Sequence, residues 1–146
     1  MTGDGLPSQD GEVPTPSVDL SPAALEFLTE RHLASLTTLR ADGSPHVVPV
    51  GFSYDAADGI VRIITFAGAV KARNAARGGR AAVSQVDGGR WITLEGTARL
   101  VTDPDGVGRA ERAYAARYQQ PRERTDRVAI EIVVDRVLCG AALKGA

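Results

Sequence analysis

From residue 33 onward, apolar positions recur every second residue in runs separated by turns rich in glycine, proline and aspartate. A period of two predicts short, half-buried strands, and tight turns between them predict an antiparallel arrangement. Strands are predicted over residues 33–39, 46–54, 60–66, 81–86, 91–101 and 128–138. The alternation is clearest in 91–101, where Ile92, Leu94, Ala98 and Leu100 share one face while Trp91, Thr93, Glu95, Thr97 and Arg99 share the other. In 128–138, Val128, Ile130, Ile132 and Val134 are expected to point inward. Pro49 lacks an N–H, so its strand is expected to be bulged or at a sheet edge. Gly43, Gly59 and Gly88 follow aspartates at the predicted hairpin turns.

Helices interrupt the strands at three places. Ser21-Pro22 suits a helix start, because the hydroxyl caps free N–H groups and proline fits the first turn. This helix is expected to run to about Arg31. A second is expected over 70–77, stopped by Gly78-Gly79. A third opens at Asp103-Pro104 and runs to about Tyr118, with Val107, Ala110, Ala113, Tyr114 and Tyr118 spaced as a buried stripe. Residues 119–126 read as a polar loop. Residues 1–19 are rich in Gly, Pro, Ser and Asp and are expected to form a flexible tail, leaving 20–146 as one domain. The predicted fold is mostly β, a six-stranded antiparallel barrel with short helices. A small barrel encloses few residues, so apolar outer faces and a homodimer are expected.

Composition narrows the function classes. A chain of 146 residues, 43% hydrophobic, holds one domain with a real core. A formal net charge of -1 gives no basic footprint for nucleic acid. No apolar run approaches a membrane span, and the polar start does not resemble a secretory signal, so the cytoplasm is the expected location. Cys139 is the only cysteine, and His32 and His46 are the only histidines. No internal disulfide and no metal centre are therefore expected.

No G-x-S-x-G, Walker loop or G-x-G-x-x-G follows a strand. Ser84 and Cys139 have no local base, and Glu95 and Glu131 are expected to pair with arginines inside strands. The segment from Ile64 to Asn74 carries more chemistry: a strand ends, a short loop follows, and a helix opens with Lys71 and Arg73. Free N–H groups at a helix start, together with two full positive charges, suit a phosphate. An ordinary solvated basic helix face fits the same residues. Trp91 is either a packing residue or a wall for a planar ring. His46 reads as a surface or dimer contact rather than a proton donor.

Residues 28–50 (LTERHLASLTTLRADGSPHVVPV), Lys71-Ala72-Arg73-Asn74, residues 84–91 (SQVDGGRW) and Arg127-Val128-Ala129-Ile130-Glu131 together carry a family resemblance. Over about residues 20–140 the chain resembles the split β-barrel family of pyridoxamine-phosphate oxidases and actinobacterial F420-dependent reductases. The first three segments resemble its F420-using branch. The resemblance implies that Lys71, Arg73 and Asn74 hold the cofactor phosphate and its anionic tail. It implies that Thr65 and the backbone around Ile64 line the ribityl chain and ring, and that Pro49 and Val50 meet the deazaflavin edge. It further implies that Gln85 and Trp91 lie near the cofactor in a cleft between two subunits.

The FMN-using oxidases of this family carry an arginine and a lysine in their second strand, where this chain reads His46-Val47-Val48-Pro49-Val50-Gly51. They carry an arginine before the phosphate-binding lysine, where Val70 stands here, and their C-terminal tryptophan-to-arginine motif is absent. F420 is therefore the implied cofactor and FMN the alternative. The implied activity is hydride transfer to a conjugated small molecule, first a linear tetrapyrrole such as biliverdin. Reduction of another enone or quinone is the alternative, as is a non-catalytic flavin or haem carrier. No side-chain acid stands out as proton donor.

Overall fold

The computed structural model describes residues 18–145. Most of the expected N-terminal tail, residues 1–17, lies outside the described residues. Val18 and Leu20 already pack partly against the core.

In chain order the elements are α1 (Pro22–Phe27), β1 (Ala34–Leu39), β2 (Pro45–Val50), β3 (Ser53–Asp55), β4 (Ile60–Phe66), α2 (Val70–Ala76), β5 (Arg80–Asp87), β6 (Arg90–Val101), α3 (Pro104–Arg117), β7 (Arg127–Cys139) and a terminal 3-10 turn (Ala141–Leu143). All strands pair antiparallel in one sheet of order β2-β1-β5-β6-β7-β4-β3. The edge strands β2 and β3 are joined by only Gly51 and Phe52, so the sheet must curl until its two edges approach at that corner. The hydrogen-bonded ladder does not close around the ring. Pro49 sits on edge strand β2, where its missing N–H removes no ladder bond from a central strand.

The count of six strands is corrected to seven, because the expected 46–54 strand breaks at Gly51-Phe52. The cause is α3. Phe52 N–H donates to the Tyr118 hydroxyl (3.2 Å), and Phe52 C=O accepts from Arg117 Nη1 (2.6 Å). With both backbone groups satisfied by side chains, this residue does not join the sheet. The first helix is also shorter than expected. The Thr29 N–H and hydroxyl both donate to Glu26 O (3.0 and 2.7 Å), which ends α1 at Phe27. Its start is as expected: Ser21 Oγ accepts from Ala24 N–H and donates to Leu143 O (2.6 Å), tying α1 to the end of the chain.

The core lies inside the curled sheet: Phe27, Leu36, Phe52, Val61, Ile63, Val83, Ile92, Leu94, Ile130 and Ile132 are all fully buried. Each such side chain contributes roughly 1.5–3 kcal/mol by leaving water. The predicted inward residues of β6 and β7 are the ones found inside, with Leu100 only partly buried. On β7, Ala129 and Glu131 are buried as well, because α3 packs over β4 and β7 and covers their outer face.

The β6–β7 ladder shifts register between Glu95 and Gly96, leaving Asp135 out of the pairing. There a Cβ on Gly96 would stand 1.9 Å from Val133 O. Gly96→Ala is therefore expected to destabilise the protein by about 1–3 kcal/mol or more. A urea melt checks this, and an unchanged midpoint would show that the bulge relaxes freely.

Candidate functional site

The Gly51-Phe52 corner, strand β4, the start of α2 and the loop from α3 to β7 enclose a cleft of about 450 Å³. Its lining contains Pro49, Val50 and Gly51 from the corner, Ile64 from β4, Lys71 from α2 and Tyr114 from α3. The loop and the start of β7 contribute Gln119, Gln120, Pro121, Arg122, Arg124 and Arg127. Four of these residues are cations and none is an acid. Tyr114 and Tyr118 stack with ring centroids 5.0 Å apart and press on Gly51, where a Cβ would meet both rings at 3.1–3.2 Å. A bare Gly51 therefore lets the aromatic pair close against the corner.

Arg117 fixes this corner from behind. It donates to Glu30 O (2.9 Å), Phe52 O (2.6 Å) and Gln85 Oε1 (2.5 Å), and its guanidinium lies over the Phe52 and Tyr118 rings. Burial lowers its pKa and raises that of Tyr118. The Tyr118 hydroxyl donates to His32 O at 2.6 Å.

The structure divides the expected site residues. Pro49, Val50, Ile64 and Lys71 line the cleft together. Lys71 has no hydrogen-bond or ion-pair partner among the described residues, and burial lowers its ammonium pKa. Arg73 instead turns back to donate to Gly68 O (2.7 Å). Asn74 is buried, donating to Thr38 Oγ1 (3.0 Å) and accepting from Arg77. At 100° per residue, position 73 stands roughly 200° around the helix from Lys71 and faces away from it, whereas position 74 is only about 60° away and is kept from the cleft by its own partners. Thr65 alternates with Ile64 and so faces away from the cleft, and its buried hydroxyl has no hydrogen-bond partner among the described residues.

Gln85 is 0% exposed and bridges Phe27 O (3.0 Å) and Arg117. Trp91 is 39% exposed in a separate depression of about 420 Å³ shared with Leu20, Leu138, Cys139 and Leu143. Of the strand glutamates, Glu131 pairs with Arg62 and Arg99 as expected, whereas Glu95 forms no ion pair within 4.0 Å among the described residues. His46 has a buried Nδ1 without a hydrogen-bond partner among the described residues.

Sequence reasoning missed the loop wall. Arg122, Arg124 and Arg127 fall within six residues, a density of charge that a plain polar loop does not need. Elsewhere, Glu30, His32 and Asp87 bring possible ligand atoms within 4.8 Å of one another. Arg90 already donates to both carboxylates of that group (2.8–3.0 Å). Its hydrogen bonds, and that of His32, hold the Glu30 carboxyl down at about 2. An arginine fills the position where a cation would sit.

Three comparisons bear on this geometry. A family profile described as Pyridoxamine 5'-phosphate oxidase matches residues 20–138. The F420H(2)-dependent biliverdin reductase of Mycobacterium tuberculosis is 56% identical over 124 residues, which is 85% of this chain and 90% of that protein. Among solved structures, a conserved hypothetical protein from Mycobacterium tuberculosis superposes with a TM-score of 0.70 at 25% identity, covering 85% of this chain and 86% of that one. An F420 reductase superposes with a TM-score of 0.64 at 24% identity, covering 77% of this chain and 94% of that one. The sheet order, the cleft and the matched span agree: the chain belongs to the pyridoxamine 5'-phosphate oxidase family.

Proposed function

We propose that this chain is an F420-dependent reductase of a conjugated small molecule, with biliverdin, reduced to bilirubin, as the first substrate. The observation that carries the reading is a cleft lined by four cations and no acid, in which Lys71 and Arg122 have no ion-pair partner among the described residues. Such a site suits an anionic cofactor. The name and 56% identity of the mycobacterial relative direct that general reading to F420.

When bound, F420 supplies the hydride, and the chain supplies position, charge and exclusion of water. Lys71 anchors the cofactor's anionic part. The Pro49-Val50-Gly51 backbone and Ile64 form a wall for its ring. Arg73, Asn74 and Gln85 act from behind that wall, by holding the Gly68 loop, the α2–β1 contact and Arg117 in place. Thr65, on the opposite face of β4, keeps a buried hydroxyl with no hydrogen-bond partner among the described residues. Trp91, in its own depression, reaches a cofactor only as a residue of a second copy. We therefore read the active form as a homodimer. The exposed Leu33 and Val86 (67% and 66%) provide apolar surface for that contact. No helix among the described residues is long and apolar enough to cross a membrane, and we place the enzyme in the cytoplasm.

Calorimetric titration with F420 and, separately, FMN tests the reading, followed by turnover of biliverdin with reduced F420. The expected result is micromolar or tighter F420 binding, weaker FMN binding and steady bilirubin formation. Preferential FMN binding would move the chain to the flavin-using branch. Binding of neither would remove the redox function.

A further inference from the structure

We infer that Arg122 is the residue of this cleft that reads a carboxylate, and that Arg124 and Arg127 hold it in position. The inference rests on the F420-reductase reading and names the specificity contact of that same site.

The three loop arginines look alike in sequence, but the structure gives them different roles. Arg124 makes a two-pronged pair with Asp126 (2.8 and 3.0 Å), and its guanidinium lies 4.4 Å over the Phe66 ring. The Asp126 hydrogen bonds raise the Arg124 pKa, and Arg124 lowers that of Asp126. Arg127 is 11% exposed, pairs with Glu111 of α3 at 3.3 Å, and donates to the Arg122 carbonyl. Asp126 O also accepts from Ala67 N–H at 2.9 Å. The loop backbone is thus tied to α3, to the end of β4 and to the turn before α2. Pro121, with its fixed φ, stands immediately before Arg122.

What remains is the Arg122 guanidinium. Arg122 is an exposed residue of the cleft lining, and its guanidinium has no hydrogen-bond or ion-pair partner among the described residues. Its charged neighbours in that lining are Lys71, Arg124 and Arg127, all cations. A free guanidinium in a cationic cleft favours an incoming anion, and its planar fork matches the two oxygens of a carboxylate. The carboxylate can belong to the substrate or to the cofactor's tail. Both present the same group to the same fork. Because the loop uses the Arg122 carbonyl and not its side chain, replacing the side chain leaves the loop bonds intact.

The test compares Arg122→Ala and Arg122→Lys with the unaltered protein, using F420, biliverdin and biliverdin dimethyl ester. Arg109→Ala, outside the cleft lining, controls for loss of charge alone. If the substrate carries the carboxylate, Arg122→Ala raises the KM for biliverdin about tenfold. The dimethyl ester and the F420 Kd then stay unchanged. If the cofactor carries it, the F420 Kd weakens by about the same factor and biliverdin and its ester respond alike. Arg122→Lys recovers only part of the loss, since a point charge cannot make the paired bonds. The inference is overturned if Arg122→Ala matches Arg109→Ala in every measurement. It is also overturned if biliverdin and its ester lose equally while F420 binding holds. A failure of the underlying reading is separate and visible first, as absence of F420 binding by the unaltered protein.

Discussion

Lys71→Ala is expected to weaken F420 binding about a hundredfold while leaving turnover at saturating cofactor within about threefold, since hydrogen bonds to charged groups are worth about 1.5–3 kcal/mol. Lys71 is the cation on the helix side of the cleft, it has no ion-pair partner among the described residues, and no acid in the lining compensates for its burial. A phosphate or carboxylate placed beside it relieves that cost. Uniform binding energy of this kind appears in the cofactor Kd and not in the chemical step. Lys71→Arg is expected to restore most of the affinity. Equal Kd values for Lys71→Ala and the unaltered protein would remove Lys71 from the site.

The same residue sets a pH dependence. Burial lowers the Lys71 pKa in the free protein, and a bound anion raises it again. Affinity is therefore full below the free-state value and declines as pH rises from there to the bound-state value. The free protein behaves in the opposite sense. Its folded-state lysine is depressed below the unfolded value, so this group's unfavourable contribution is present below the folded-state value. It disappears as pH rises through the window between the two values. F420 titrations from neutral to alkaline pH should show the decline in the unaltered protein and a flatter profile in Lys71→Ala. In Lys71→Arg the decline should move beyond the accessible range, because arginine stays charged.

Alternation along the chain makes the sheet legible. Ile92, Leu94 and Ala98 on β6, and Val128, Ile130, Ile132 and Val134 on β7, are buried as their spacing requires. The starts of α1 and α3 are legible because their caps are local: Ser21 and Asp103 each accept from an N–H three residues on. The break between β2 and β3 is not, because it depends on Arg117 and Tyr118, more than sixty residues away. The family resemblance groups Lys71, Arg73 and Asn74 as one ligand cluster. Of the three, only Lys71 lines the cleft: helical rotation turns Arg73 away to Gly68, and Asn74, though on the same side as Lys71, is taken up by Thr38 and Arg77. The loop wall stays hidden for a third reason. Its arginines acquire different roles only through Asp126, Phe66 and Glu111, and that sorting has no periodic signature.

Glu131→Ala is expected to cost about 3 kcal/mol of folding stability and lower Tm by about 10 °C. Glu131 is 4% exposed on β7 and stands directly opposite Arg62 on β4 and Arg99 on β6. Arg62, 6% exposed, donates to Glu131 at 3.2 Å and to Asp55 at 2.8 Å, while Arg99 donates to Glu131 at 2.6 and 2.9 Å. Burial acts to raise the Asp55 carboxyl pKa, but the hydrogen bonds from Arg62, Asp58 N–H and Ala57 N–H, together with the Arg62 charge, leave it below the ordinary value. Removing Glu131 leaves the buried Arg62 with Asp55 alone, and an under-compensated buried charge is what makes such a deletion costly. Arg99→Ala is a different case. Its side chain is 54% exposed, so water replaces the lost partner and the cost should stay within about 1 kcal/mol. Urea melts of the two variants separate the readings, and equal small losses would show that Arg62 is not held by Glu131. The consequence reaches the cleft. Ile64 lies two residues beyond Arg62 on β4, and Arg127 lies four before Glu131 on β7, so all four share one face of the sheet. The ion cluster and the cleft floor are one surface, and F420 affinity in Glu131→Ala should fall together with stability.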